Sequence, residues 1–370
     1  MALHVQLGTR KGLITARKTI NGWRIDDKIS FLGQPVPMTL HDSRSGFEYA
    51  AINLGHFGQK LHRSKDGGAT WQEITVPAFP PKPPDAAEVL CAMRKVPVPW
   101  NVEMIWCLET GAAEGQLWCG TIPGALFLSH DHGDSWQLVE SLWNLPQRAK
   151  WLGGGYDWPG IHSISVDPRN PRGLMLAIST GGVWATNDDG ATWENRAKGM
   201  FAAYMPPESA YDVDVQDIHR MVRCPAAPDT LWGQHHNGIF RTTNNGAQWA
   251  EIKNAQPSNF GFAVAVHPKN PDIAWFVPAI KDELRIPVDG RVVVSRTGDG
   301  GKTVEVLRSG LPDTNACHLV YRHCLEVDST GNVLAMGSTT GSFWISENSG
   351  DHWQRVSPDL PPIYSVRILE

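Results

Sequence analysis

Short apolar segments recur along the chain, alternating with polar positions and each running into a turn. IHSISVDPRNP (161–171), IHRMVRCPAAPD (218–229), GFAVAVHPKNPD (261–272) and RHCLEVDSTGN (322–332) show a period of two that breaks at Pro, Asn, Gly or Asp. A second apolar segment follows each one: LMLAIS (174–179), TLWGQ (230–234), IAWFVPA (273–279) and NVLAMGS (332–338). Upstream, VPMTLHDSRSGFEYAAINL (36–54) and VEMIWCLETGAAEGQLWCG (102–120) repeat the pairing. This pattern predicts successive antiparallel strands.

A second pattern punctuates the first. SKDGGATW (64–71), SHDHGDSW (129–136), TNDDGATW (186–193), TTNNGAQW (242–249), TGDGGKTV (297–304) and SENSGDHW (346–353) share one template: hydroxyl, any, Asp or Asn, any, Gly, any, polar, Trp, with Val304 in place of Trp in the fifth. The Asp or Asn side chain can bond to nearby backbone amides, and Gly accepts the positive φ of a tight turn. The terminal Trp packs inward while its N–H seeks an acceptor. The boxes recur about every 50–65 residues, and Trp23 in TARKTINGW stands where a seventh, degenerate box belongs. The chain starts on a second-strand pattern, LHVQLGTRKGLITAR (3–17), and finishes on a lone first-strand pattern, IYSVRILE (363–370). If the last strand completes the first sheet, no sheet edge is left open. The prediction is all-β: a seven-bladed β-propeller of four-stranded antiparallel blades, one domain spanning 1–370, closed by the C-terminal strand joining the N-terminal blade.

The template resembles the Asp-box (BNR) repeat of the sialidase-like and sortilin-like β-propellers, and the resemblance runs the length of the chain. It implies that the boxes are structural turns on the outer part of each blade, away from an active face. Asp131, His132 and Asp188 are therefore expected to hold turns rather than to perform chemistry.

Composition narrows the function. Hydrophobic residues make up 41% and charged residues 19%, enough apolar material for a large core. A net charge of −5 without a basic run argues against nucleic acid. No segment has the length and apolarity of a membrane helix, and the N-terminus lacks a signal-peptide pattern. Six cysteines without CxxC spacing fit reduced thiols and a cytoplasmic setting. Three long connections, 78–101, 143–159 and 197–217, are where function is expected to sit.

Aligning the first strands puts His162, His219 and His323 in one register, with Phe262 and Tyr364 at the equivalent positions. Imidazoles converging from separate blades would suit a divalent transition metal, with Zn, Mn, Fe, Ni and Cu all compatible. His56 (NLGHFG) or His235 (GQHHNG) would be a fourth ligand or proton shuttle, and Arg285 or Arg322 would bind a substrate carboxylate. Glu88, Asp212, Asp214, Asp217 and Glu283 are candidate supporting carboxylates or general bases. These residues describe a hydrolase or lyase acting on a small polar or carboxylate-bearing molecule. His41 and His267 are expected to be structural.

Two other readings stay open. The resemblance implies a metal-free sialidase-like glycoside hydrolase, in which an arginine cluster holds the substrate carboxylate beside a Tyr/Glu nucleophile and an Asp acid/base. Arg285-Ile286-Pro287 is similar to the family's Arg-Ile-Pro element, and Tyr211 or Tyr364 would supply the phenol. That element, however, falls in the sixth blade rather than before the first box, and the count is seven blades rather than the family's six. The third reading is a non-catalytic binding or assembly scaffold, with Trp151, Tyr156, Trp158, Phe201 and Tyr204 as stacking surfaces. The expected partner is a small-molecule or glycan ligand, not a membrane or nucleic acid.

Overall fold

The alternating segments are strands, and they pair in fours. The computed structural model describes residues 3–85 and 88–370. Ala86 and Ala87, within the expected 78–101 connection, lie outside the described residues. Among the described residues there are seven four-stranded sheets and one short α-helix, Glu140–Trp143. This is the seven-bladed β-propeller class. Among the described residues no helix is long and apolar enough to cross a membrane.

The N-terminal sheet runs Ile363–Leu369, His4–Thr9, Gly12–Thr19, Gly22–Ser30. The last strand therefore completes the first sheet, with His4 opposite Leu369 and Leu7 opposite Val366 in antiparallel register. Arg10 N–H donates to the Pro362 carbonyl at 2.9 Å, extending the closure past the strand end.

The chain packs as two compact units, one of residues 1–39, 222–245 and 250–370, the other of 40–221 and 246–249. The first has a core that includes Leu7, Trp275, Leu334, Trp344 and Val366. The second has a core that includes Leu126, Trp151, Ile161, Leu176 and Trp184.

The recurring boxes fold alike because each satisfies itself. In the box at 64–71, Ser64 Oγ donates to Asp66 Oδ1 at 2.8 Å and accepts the Gly68 N–H at 3.0 Å. Asp66 Oδ1 also accepts the Thr70 N–H at 2.8 Å, and Oδ2 accepts the Thr70 hydroxyl at 2.6 Å. The same bonds recur around Asp131, Asp188 and Asp299. Gly68 has a φ of 78° and Gly190 one of 84°, which a side chain would strain. Trp136 Nε1 donates to the Thr75 carbonyl at 3.1 Å and Trp249 Nε1 to the Arg196 carbonyl at 2.7 Å, whereas the buried Trp353 Nε1 meets no acceptor among the described residues. Trp23, in the degenerate unit, is buried and donates to Glu347 Oε1 at 3.2 Å.

Candidate metal centre and its surroundings

Asp217 and His219 are two residues apart in extended chain, so both side chains lie on one face. His219 is the second residue of Ile218–Arg223, the first strand of a sheet that continues Leu231–His235, Gly238–Thr242, Ala250–Glu251. His236 sits at the turn between the second and third of these strands. One ligand atom from each of Asp217, His219 and His236 lies within 4.8 Å of the others. Among the described residues this is the group of imidazole, thiol or carboxylate side chains that can hold a metal ion.

The separation suits a shared ion. Asp217 Oδ2 is 3.5 Å from His219 Nε2. Two ligands bonded at about 2.0–2.1 Å to one tetrahedral cation stand roughly 3.3 Å apart. Asp217 and His219 are both buried, and His236 is half-buried. A carboxylate so placed needs positive charge or donors around it. Two imidazoles with an oxygen ligand are a donor set that Zn, Mn, Fe, Ni and Cu accept.

Asp217 is approached by the Gly-rich segment of the 143–159 connection. A methyl group added at Gly154 would stand 3.0 Å from Asp217 Oδ1, 2.5 Å from Ser179 Oγ and 2.9 Å from Thr180 Oγ1. The backbone is anchored there by Ser179 Oγ, which donates to the Gly154 carbonyl at 2.9 Å. Tyr204 closes another side, its hydroxyl donating to the Val215 carbonyl at 2.6 Å. Burial, and then the negative charge of Asp217, push its phenol well above the usual range, so it stays protonated.

From His236 a chain of ring contacts leads to two arginines. His236 meets Phe260 edge-on at 5.7 Å, Phe260 meets Phe262 at 5.4 Å, and Phe262 meets Tyr321 at 5.3 Å. The Arg285 and Arg322 guanidiniums lie 5.3 and 5.2 Å from the Phe262 ring centre. Arg322 is buried, whereas Arg285 turns Nε and Nη2 onto Asp282 Oδ1 at 3.0 and 2.5 Å.

Of the three histidines expected as ligands, the cluster contains His219. His162 and His323 are not members, and Asp217 and His236 take part instead. His162 is on Gly160–Val166, its Nδ1 at 2.9 Å from Ser163 Oγ and its ring edge-on to Trp106. His323 precedes Leu325–Val327 and bridges to Ser365, its carbonyl accepting the Val366 N–H at 2.8 Å. His235 is fully buried, its Nδ1 accepting the Asn237 N–H at 3.0 Å and its ring against Phe240. His56 is exposed on the short 3-10 turn Gly55–Phe57, its ring tilted against Phe57 at 3.9 Å. Asp212 and Asp214 are held by Lys150 Nζ at 2.9 and 3.0 Å, and Glu283 by Lys281 at 3.4 Å. Glu88 is 3.9 Å from Lys82. Sequence reasoning gave Asp217 only a supporting part and preferred His235 to its neighbour. The available signal was the Asp-x-His spacing itself.

No protein-family model and no curated protein sequence matches the chain. Solved structures do match in fold. A protein from Lactobacillus plantarum aligns over 100% of both chains with a TM-score of 0.64 at 10% identity. A putative 6-phosphogluconolactonase from Bacteroides fragilis aligns over 100% of this chain and 98% of its own, with a TM-score of 0.59 at 11% identity. An ancestral GH74 enzyme aligns over 87% of this chain with a TM-score of 0.58 at 15% identity, and the chain spans 38% of that enzyme's length. At these identities the likeness is one of fold, and it agrees with a seven-bladed propeller.

Proposed function

We propose that the protein is a metal-dependent hydrolase or lyase acting on a small polar, carboxylate-bearing molecule. The observation that carries the proposal is the convergence of Asp217, His219 and His236, two of them buried, on a volume the size of one cation. A divalent ion held there would polarise a substrate oxygen or lower the pKa of a bound water. Asp217 would supply the negative charge that retains the ion, and the imidazoles would bind as neutral ligands above their own pKa. Arg322 and Arg285, reached from His236 through Phe260 and Phe262, are the groups proposed to orient a substrate carboxylate. Solved neighbours of the same fold include a GH74 enzyme and a putative lactonase, but likeness this distant does not choose a reaction. Kinship with the Asp-box propellers belongs to the proposal and is supported by the self-satisfied turns. A cytoplasmic setting is proposed from the cysteine usage, six residues without CxxC spacing.

The test is elemental analysis of protein purified without a histidine tag, followed by turnover of small carboxylate-bearing esters and lactones with and without chelator. Near-stoichiometric metal that falls at least tenfold in His236→Ala, together with chelator-sensitive turnover, is the expected result. Metal content that is negligible after repletion, or unchanged in His236→Ala, overturns the proposal.

A further inference from the structure

The paired edge donors of two arginines, Arg169 and Arg148, meet different fates. Arg169 offers Nε and Nη2 side by side to Asp167, bonding Oδ1 at 3.0 Å and Oδ2 at 2.8 Å. This side-on fork is the arrangement that matches the two oxygens of a carboxylate. Arg148 has the same fork, but both Nε and Nη2 are buried and meet no hydrogen-bond acceptor among the described residues. The residue is only 3% exposed. Nη1 donates to the Gly124 carbonyl at 2.6 Å, which fixes the orientation of the plane. The guanidinium carbon lies 3.3 Å from the centre of the Trp143 ring. Burial alone lowers the Arg148 pKa to about 9, so at neutral pH it is charged, and no carboxylate among the described residues pairs with it.

Arg148 lines a cavity of about 760 Å³, within the range of small-molecule sites. The wall is aromatic and apolar on one side, where Trp100 and Trp143 meet edge-to-face at 5.5 Å and Phe79 packs on both. Trp100 is held in place by its Nε1, which donates to the Pro80 carbonyl at 2.7 Å. The acidic residues of the wall, Asp85, Glu88 and Glu140, are solvent-exposed, unlike Arg148. Their charge is screened where an anion would enter, whereas the guanidinium acts at low dielectric.

We propose that this cavity is a second ligand site, taking a small organic carboxylate whose two oxygens fill the Arg148 fork and whose apolar body lies against Trp100 and Trp143. The site is independent of the metal cluster and requires neither a bound ion nor turnover.

The experiment is calorimetric titration of the full chain, before and after chelator treatment, with arylacetates and short-chain fatty acids, each paired with its uncharged amide. The expected result is a carboxylate bound at least tenfold tighter than its amide, with or without metal. That preference should disappear in Arg148→Met and be reduced in Arg148→Lys, which keeps the charge but lacks the fork. Thermal melts of both variants establish that they fold, and the acid–amide comparison in the unmodified protein stands without them. Equal affinity for acid and amide, absence of binding by every acid, or a preference that survives in Arg148→Met overturns the proposal.

Discussion

Asp188 and Asp217 are the same side chain in opposite circumstances. Asp188 is served by partners within four residues: the hydroxyls of Thr186 and Thr192 and the Thr192 N–H. Those bonds, the Thr192 hydroxyl foremost, hold its carboxyl at about 2, well below the usual carboxylate range. Asp217 is buried and faces His219, two residues on, and His236, contributed by the turn between the second and third strands of the sheet. The first arrangement spends every acceptor on its own turn and has nothing left for a ligand. The second depends on register between strands and gathers groups that a cation can share.

The comparison predicts that damage to the two regions separates stability from metal retention. The largest effect is expected from Trp249→Ala, which empties a fully buried indole position and breaks its bond to the Arg196 carbonyl. A loss of about 3–5 kcal/mol in urea unfolding is expected, with metal per folded molecule unchanged. A variant that kept its stability but lost metal would erase the distinction. Next comes Gly154→Ala, whose methyl would press on Asp217 Oδ1. Metal affinity should fall about tenfold with only a small change in melting temperature, and an unaltered affinity would show that the glycine segment does not position the carboxylate. The smallest effect is in acid. Asp188 titrates at about 2 folded and near 3.8 unfolded, so its stabilisation is complete above about pH 4 and is lost as pH falls towards 2. Asp188→Asn should flatten the stability curve across that window and lower its plateau at neutral pH, the two proteins converging below about pH 2. An identical acid slope in the variant would mean the turn does not discriminate between charge states.

The turns were legible because their chemistry is local, down to a pairing within the boxes. Where the third position is Asp, the seventh is Thr70, Ser135, Thr192 or Thr303, a hydroxyl that donates to Oδ2. Where it is Asn244 or Asn348, the seventh is Gln248 or His352. With its Oδ1 accepting the Thr242 or Ser346 hydroxyl, the amide presents N–H₂ where an Asp presents Oδ2, and N–H₂ donates but does not accept. Blade number and closure followed from counting such units. The register of the first strands was also legible in part, since His219, Phe262 and Tyr364 are each the second residue of their strands.

The cluster of Asp217, His219 and His236 was less legible because adjacent residues with the same side chain were separated only by pairing. His235 is opposite Gly238 in the ladder and spends Nδ1 on the Asn237 N–H, while His236 falls at the corner of the turn. Local pattern does not tell one from the other. Asp217 was visible, but its burial beside His219 depends on how the chain enters the strand.

The shared first sheet also sets a clock. While the chain is being synthesised, the strand His4–Thr9 must wait for Ile363–Leu369 to emerge before its outer row of amides and carbonyls is covered. At ordinary ribosome speeds that interval is about 20–70 s. For that time the nascent protein carries an open, apolar edge of the kind that recruits other chains. Slow codons late in the message should therefore depress the yield of native protein, and a chaperone that shields this edge should restore it.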